Sequence, residues 1–259
     1  MMPAPAGNAG NKKCRLDTLL LERGLVESRT RAQALIMSGA VFSDTQRLEK
    51  PGMQVPVDIA ITVKGHDHPW VSRGGLKLSH ALDHFEIDPT GLTCLDVGAS
   101  TGGFTDVLLQ GGAAKVFAVD VGHGQLAWKL RNDPRVVVLE KMNVRHISAA
   151  DVPDPIDIIV CDVSFISLMV ALPAAMRLAK PGACLVTLIK PQFEVGKGQV
   201  GKGGVVRDTA LHEEVCRTIQ TWLETQSDWS VNGIVESPIT GPKGNKEFLL
   251  SAAKSKPNK

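Results

Sequence analysis

Asp96, Asp120, Asn143, Asp162 and Lys190 each stand at, or shortly after, the end of a run rich in Val, Ile and Leu. Between the first two lies Gly98-Ala99-Ser100-Thr101-Gly102-Gly103. Glycines in such a loop let the backbone approach a ligand closely and turn into a following helix. Asp120 comes 24 residues after Asp96. An acid at the end of a second strand can accept both hydroxyls of a ribose. The loop and the acid together describe a holder for an adenosine. Position 100 is Ser, so the glycine spacing departs from the G-x-G-x-x-G of dinucleotide sites. That favours S-adenosylmethionine over a dinucleotide. The plain alternative is a Gly-rich structural turn.

These residues need a scaffold that brings strand ends together. Apolar runs at 93–97, 115–119, 136–139, 156–161 and 184–189 read as buried parallel strands. Helices are expected at 104–109, 125–130, 166–179 and 211–225, with two more strands at 229–237 and 247–252. The alternation predicts a doubly wound, Rossmann-like α/β domain, in which ligands bind beyond the carboxyl ends of the strands. Upstream, residues 14–65 are shorter in rhythm. A helix is expected at 17–23, ended by Gly24, and a second at 29–38, capped by Ser28 and ended by Gly39. On the second, Ala32, Leu35 and Ile36 are expected to face a core, and Arg29, Arg31 and Gln33 to face out. Strands are expected at 41–42 and 59–63, with a turn near Lys50-Pro51-Gly52. This is a small α+β domain. The expected organisation is a disordered leader at 1–13, the small domain at 14–65, a linker at 66–71, the large domain at 72–253 and a basic tail at 254–259.

The rest of the sequence mainly excludes. The chain has 259 residues, 43% of them hydrophobic, which is ample for a buried core. No run approaches a membrane-spanning length; 168–176 is the nearest, and Pro173 interrupts it. The N-terminus lacks the apolar core of a signal peptide, and the five scattered cysteines suit a reducing compartment, so a cytoplasmic protein is expected. No cysteine spacing suggests zinc, and His66 with His68 lacks further ligands nearby. Net charge is only +2, but residues 12–31 carry six Lys/Arg against three Asp/Glu. Gly196 to Lys202 matches G-x-x-x-x-G-K, yet Gly203 follows where a phosphate loop needs Ser or Thr. A Gly/Lys loop that closes on a polyanion fits better.

Several segments carry a more specific resemblance. They are Ser72-Arg73-Gly74-Gly75-Leu76-Lys77-Leu78, the 95–106 loop, Asp162-Val163-Ser164-Phe165-Ile166-Ser167-Leu168 and Ile189-Lys190-Pro191-Gln192-Phe193-Glu194. Gly203-Gly204-Val205-Val206-Arg207-Asp208, Gly244-Asn245-Lys246-Glu247-Phe248 and the 28–39 stretch add to them. Together they resemble the TlyA (hemolysin A) family, which joins an S4 RNA-binding domain to an FtsJ-like methyltransferase. The resemblance implies 2′-O-methylation of cytidine in ribosomal RNA, from S-adenosylmethionine. Two departures stand beside it: Phe42-Ser43-Asp44 replaces the Asn-Gly frequent in the S4 hairpin turn, and His68-Pro69-Trp70-Val71 lacks the family's leading basic residue.

The resemblance also implies a tetrad: Lys77, Asp162, Lys190 and Glu247. Transfer from a sulfonium to oxygen needs no metal; the difficulty is deprotonating a poorly acidic hydroxyl. A lysine becomes a base when burial and a second cation lower its pKa. Lys190 is expected to be that base, with Lys77, Asp162 and Glu247 positioning it. Asp96, Gly98, Ser100, Gly102, Gly103, Asp120, Asn143 and Asp162 are expected to bind the cofactor. Phe165 can stack on a base or fill a core. Arg15, Arg29, Arg31 and Arg73 are expected to meet RNA, and ribosomal RNA or a ribosomal subunit is the expected partner. The rival readings are membrane lysis, a non-catalytic ribosome-assembly factor and a base methyltransferase. The last commonly uses an Asn/Asp-Pro-Pro-aromatic motif, and Asp162-Val163-Ser164-Phe165 lacks both prolines.

Overall fold

The computed structural model describes residues 13–23, 25–26, 28–63, 68–196, 198–226 and 228–256. The chain divides into two compact units, Met1–Asp67 and His68–Lys259. Gly24, His66 and residues 1–12 lie outside the described residues.

In the first unit, strand β1 (Lys13–Arg15) leads into helix α1 (Leu16–Glu22), and α2 (Arg29–Met37) follows. Then come β2 (Val41–Ser43), β3 (Gln46–Arg47), β4 (Gln54–Pro56) and β5 (Thr62–Val63). β1 pairs with β4, and β2 lies between β3 and β5. Ser28 caps α2 by accepting the Arg31 N–H at 3.1 Å. Ala32, Leu35 and Ile36 are buried, as the helical period requires, against Leu16, Leu20 and Val41. Two expectations change. Lys13, assigned to the leader by its composition, pairs with Pro56. The strand expected at 59–63 shrinks to Thr62–Val63. The Arg23 guanidinium takes the carbonyls of Val57 and Ile59, and the Ile59 N–H turns back to Pro56, so that backbone is not free for a ladder.

The second unit opens with α3 (Gly74–His84), then β6 (Thr93–Val97), α4 (Gly103–Gln110) and β7 (Lys115–Asp120). It continues through α5 (Trp128–Arg131), β8 (Val136–Glu140), β9 (Ile156–Cys161), α6 (Leu168–Arg177), β10 (Ala179–Ile189) and α7 (Pro191–Glu194). It closes with α8 (Thr209–Thr225), β11 (Trp229–Glu236) and β12 (Phe248–Lys254). The sheet order is β11-β12-β10-β9-β6-β7-β8. The five strands from β10 to β8 are parallel, and β12 and β11 add antiparallel.

Alternate strand residues feed two cores. Cys94, Val116, Val160 and Leu188 pack with residues of α3, α4 and α5. Leu95, Phe117, Ile159 and Leu185 pack with residues of α6 and α8. Both faces of the parallel sheet are covered, which is why its strands read as continuous apolar runs. The doubly wound α/β fold is therefore as expected. α3 has no counterpart in the expected helices. α5 is shorter than the expected 125–130 segment, because the Ala127 N–H bonds to the Thr101 carbonyl. β10 starts earlier than expected, with an irregularity between Ala179 and Cys184.

Candidate active site

The chain runs β6, β7, β8 to one side and then returns to β9 on the other side of β6. A crevice opens at such a reversal, beyond the strand ends. Gly98 sits there at φ +87, and a Cβ would lie 2.6 Å from the Asp162 carbonyl oxygen. Only glycine lets the β6 and β9 ends approach so closely. Ser100 is also held in the left-handed region, at φ +48. Its N–H donates to Asp120 Oδ2 at 2.8 Å, while the Gly122 N–H donates to Oδ1 at 2.6 Å. Asp120 thus ties the loops after β6 and β7 together. Each oxygen keeps acceptor capacity for a hydroxyl.

Asp120, Asn143, Gly98, Ser100 and Asp162 line a cleft of about 540 Å³, walled by Val119, Val163 and Ile166. Asn143 Oδ1 accepts the Arg145 N–H at 3.2 Å, which fixes its amide at the rim. A carboxylate for a ribose beside apolar walls for a planar base fits an adenosine, and so fits S-adenosylmethionine. Two expected cofactor residues stand elsewhere. Asp96 is fully buried behind the loop, where its Oδ2 takes both the N–H and the Oγ1–H of Thr105, at 2.9 and 2.6 Å. It braces β6 against α4 and lines neither cleft; burial pushes its carboxyl up to about 7. Gly102 forms the N-terminal cap of α4 at φ +98, against Leu126 and Leu130. Gly103 does line the neighbouring cleft.

That second cleft, about 500 Å³, shares Gly98, Ser100, Asp162 and Ser164 with the first. It also contains Lys77 and Lys190, each only 8% exposed. Lys77 comes from α3 and Lys190 from the end of β10. Lys77 Nζ lies 2.6 Å from Glu247 Oε2 and 3.9 Å from Asp162 Oδ2. Lys190 Nζ lies 2.5 Å from Asp162 Oδ1 and donates to Ser164 Oγ at 2.9 Å. Asp162 therefore stands between the two ammonium groups. The four tetrad residues, far apart in sequence, come together. Glu247 is 1% exposed, and its Oε1 has no hydrogen-bond partner among the described residues. A Cβ at Gly241 would lie 2.0 Å from that oxygen, so the 241–245 turn can cover Glu247 only with glycine there. Neighbouring Lys246 points away, to Glu236 at 3.1 Å.

The antiparallel β12 explains how Glu247 arrives. In a reversed strand the amino end meets the carboxyl ends of its neighbours, and Phe248 pairs with Ile189, the residue before Lys190. Ser164 and the 239–243 segment are cleft residues absent from the expected set. Ser164 lay inside the Asp162 motif, but nothing in the sequence says which lysine it meets. Phe165 is 90% exposed at φ +65, with its ring 4.9 Å from Phe193. Of its two expected roles, filling a core is excluded. The arginines divide. The Arg73 guanidinium lines the cleft and reaches the Thr240 carbonyl at 3.4 Å. Arg29 faces out as expected, and both Arg15 and Arg29 stay exposed while their guanidinium groups pair with buried Asp17, each at 2.9 Å. Gln33 joins them at 3.1 Å. Arg31 is half-buried.

Among the described residues no group of three or more His, Cys, Asp or Glu could hold a metal. The fold, the loop-and-acid holder and the adjoining lysine–carboxylate cluster define an S-adenosylmethionine-dependent methyltransferase. Residues 14–58 match the S4 domain, and residues 70–254 match the FtsJ-like methyltransferase. The chain belongs to the FtsJ-like methyltransferase family. It is 48% identical over 241 residues to the putative rRNA methyltransferase YqxC of Bacillus subtilis, covering 93% of this chain and 85% of the relative. It is 48% identical over 240 residues to the 16S/23S rRNA (cytidine-2′-O)-methyltransferase TlyA of Mycobacterium tuberculosis, covering 92% and 89%. A solved structure of a putative hemolysin from Streptococcus thermophilus superposes with a TM-score of 0.74 at 42% identity, covering 95% of this chain and 90% of that one.

Proposed function

We propose that this protein methylates the ribose 2′-hydroxyl of cytidine in ribosomal RNA. One observation carries the reading: two buried lysines and Asp162 line a cleft that adjoins the adenosine holder, with buried Glu247 paired to Lys77 behind it. The Mycobacterium tuberculosis relative, named for this activity, supports the substrate assignment. Bound S-adenosylmethionine supplies a methyl group on a sulfonium leaving group. Asp120 and Asn143 hold the adenosine end. Lys190, in its neutral form, takes the proton of the attacking hydroxyl. Asp162 and Ser164 aim its Nζ at the junction of the two clefts. Glu247 fixes Lys77, which shares Asp162 with Lys190. Arg73 at the rim, and Arg15, Arg29 and Arg31 in the S4 unit, engage RNA phosphates.

The test is transfer of tritiated methyl from S-adenosylmethionine to undermethylated ribosomal subunits, followed by alkaline hydrolysis. Label in alkali-resistant dinucleotides containing cytidine is expected, and Lys190→Ala abolishes it. Label on a base, or an active Lys190→Ala protein, overturns the reading. Membrane lysis, suggested by the Hemolysin A name of a Brachyspira hyodysenteriae relative, finds no helix long and apolar enough to cross a membrane among the described residues.

A further inference from the structure

Lys190 lies where β10 hands over to α7, a single helical turn. Short turns at strand ends are held by what they touch, because one turn has little stability of its own. The last residue of α7, Glu194, reaches across to the start of α6. Its Oε2 accepts the Ser167 hydroxyl at 2.7 Å, and its Oε1 accepts the Leu168 N–H at 2.8 Å. Ser167 is itself the N-cap of α6, accepting the Met169 N–H at 3.2 Å. An acid at a helix start is favoured both by the free N–H groups and by the helix dipole.

The same two segments meet three more times. Lys190 Nζ touches Asp162 and Ser164, and Phe193 packs on Phe165. Residues 162–168 and 190–194 are therefore stitched at both ends, the tetrad contacts at one and Glu194 at the other. Between the stitches, Phe165 is held at φ +65, a conformation an L residue adopts only when its surroundings impose it. Burial pushes the Glu194 carboxyl up from its ordinary value, so the group is retained there at some cost.

We infer that Glu194 is a positioning residue for the transfer reaction: by latching α7 to the N-terminus of α6, it sets where the Lys190 Nζ points. The inference rests on the reading of Lys190 as the base. Its first test does not. In the folded full chain, the rate at which acetic anhydride acetylates Lys190 at fixed pH is read by mass spectrometry, without substrate. With the latch broken in Glu194→Ala, the rate is expected to change by about threefold or more, because Lys190 leaves its Asp162 and Ser164 contacts. Glu194→Gln keeps a carbonyl acceptor for Leu168, and its amide can donate to Ser167, so it is expected to restore the wild-type rate. In methyl transfer, Glu194→Ala is expected to lower kcat about 10- to 100-fold, the scale of a small misplacement, with KM for S-adenosylmethionine within about twofold.

Wild-type labelling in folded Glu194→Ala overturns the latch, and so does a Glu194→Gln protein as impaired as Glu194→Ala. If Glu194→Ala does not fold, Ser167→Ala, which keeps the Leu168 bond, is expected to give an intermediate labelling rate; a wild-type rate there overturns the latch. If labelling responds as expected but the wild-type protein methylates no ribosomal RNA, the functional reading falls and the latch stands.

Discussion

Two carboxylate sites, Asp17 in the first unit and the Asp162–Glu247 pair in the second, are treated in opposite ways. In the S4 unit, Asp17 is completely buried and saturated. Oδ1 takes Arg15 Nε at 3.0 Å, and Oδ2 takes Arg15 Nη2, Arg29 Nε and Gln33 Nε2. The Arg15 guanidinium, with Gln33 and Arg29, holds the carboxyl well below the usual range. In the methyltransferase unit, Glu247 Oε1 is buried beside the cleft without a hydrogen-bond partner among the described residues, and Asp162 is shared by two lysines. A buried acid whose acceptors are all filled joins parts of a fold. One left with spare capacity next to a cleft is where stability has been given up for chemistry. The saturated acid should therefore govern stability, and the tetrad activity.

The largest effect expected from this contrast is catalytic. Lys190→Ala should lower kcat by about 10²-fold to 10⁴-fold, the range of a lost general base, while thermal unfolding shifts little. A large loss of stability with residual activity would break the contrast. Next comes Asp17→Ala. It removes charge-assisted hydrogen bonds and should cost the S4 unit about 2 kcal/mol, read as lost amide-exchange protection across α1 and α2. The other unit should keep its protection and its affinity for S-adenosylmethionine. Asp120→Ala sharpens the comparison from between, since this acid both ties loops and faces the cleft. It should weaken S-adenosylmethionine binding by about tenfold or more by calorimetry, the scale of a lost charged hydrogen bond.

The smallest effect, taken per pH unit, is a pH slope of opposite sign in the two units. Asp96 is pushed up to about 7 by burial, against an ordinary value of 3.8. The folded second unit thus holds a proton that the unfolded chain releases, and this stability contribution falls as pH rises from about 4 to 7, by at most about 1.4 kcal/mol per unit. Asp17, being lowered, contributes stability that is full above the ordinary carboxylate range and lost as pH falls through its folded value. All four tryptophans, at 70, 128, 222 and 229, belong to the second unit, so their fluorescence in urea reports it alone. Asp96→Asn should flatten the slope between pH 4 and 7, and an unchanged slope would count against the raised value.

What could be read from the sequence followed physical range. β6 and β9 were legible to the residue, because a strand buried on both faces reads as a nearly continuous apolar run. α2 was legible from Ser28 and its period. α3, which carries Lys77, was not, since Gly74-Gly75 at its start speaks against a helix; only the family resemblance put Lys77 in the site. Asp96 looked like a ligand because it precedes the glycine loop, and only packing shows it facing Thr105. Arg15 and Arg29 were expected to meet RNA, and nothing local to Arg29 says that it shares Asp17, 12 residues away, with Arg15. Glu194 was quoted within a motif, yet its partners lie 26 and 27 residues away on another helix.

That dependence on distance has a kinetic side. Lys77 and Glu247 are separated by 170 residues and meet at 2.6 Å. Loop closure over such a span comes late in folding, after local helices and adjacent strands have formed. During refolding, recovery of methyl transfer should therefore lag behind recovery of helical circular dichroism. The ion pair makes the enzyme its own checkpoint: a partly folded chain whose S4 unit has formed is not yet expected to transfer a methyl group.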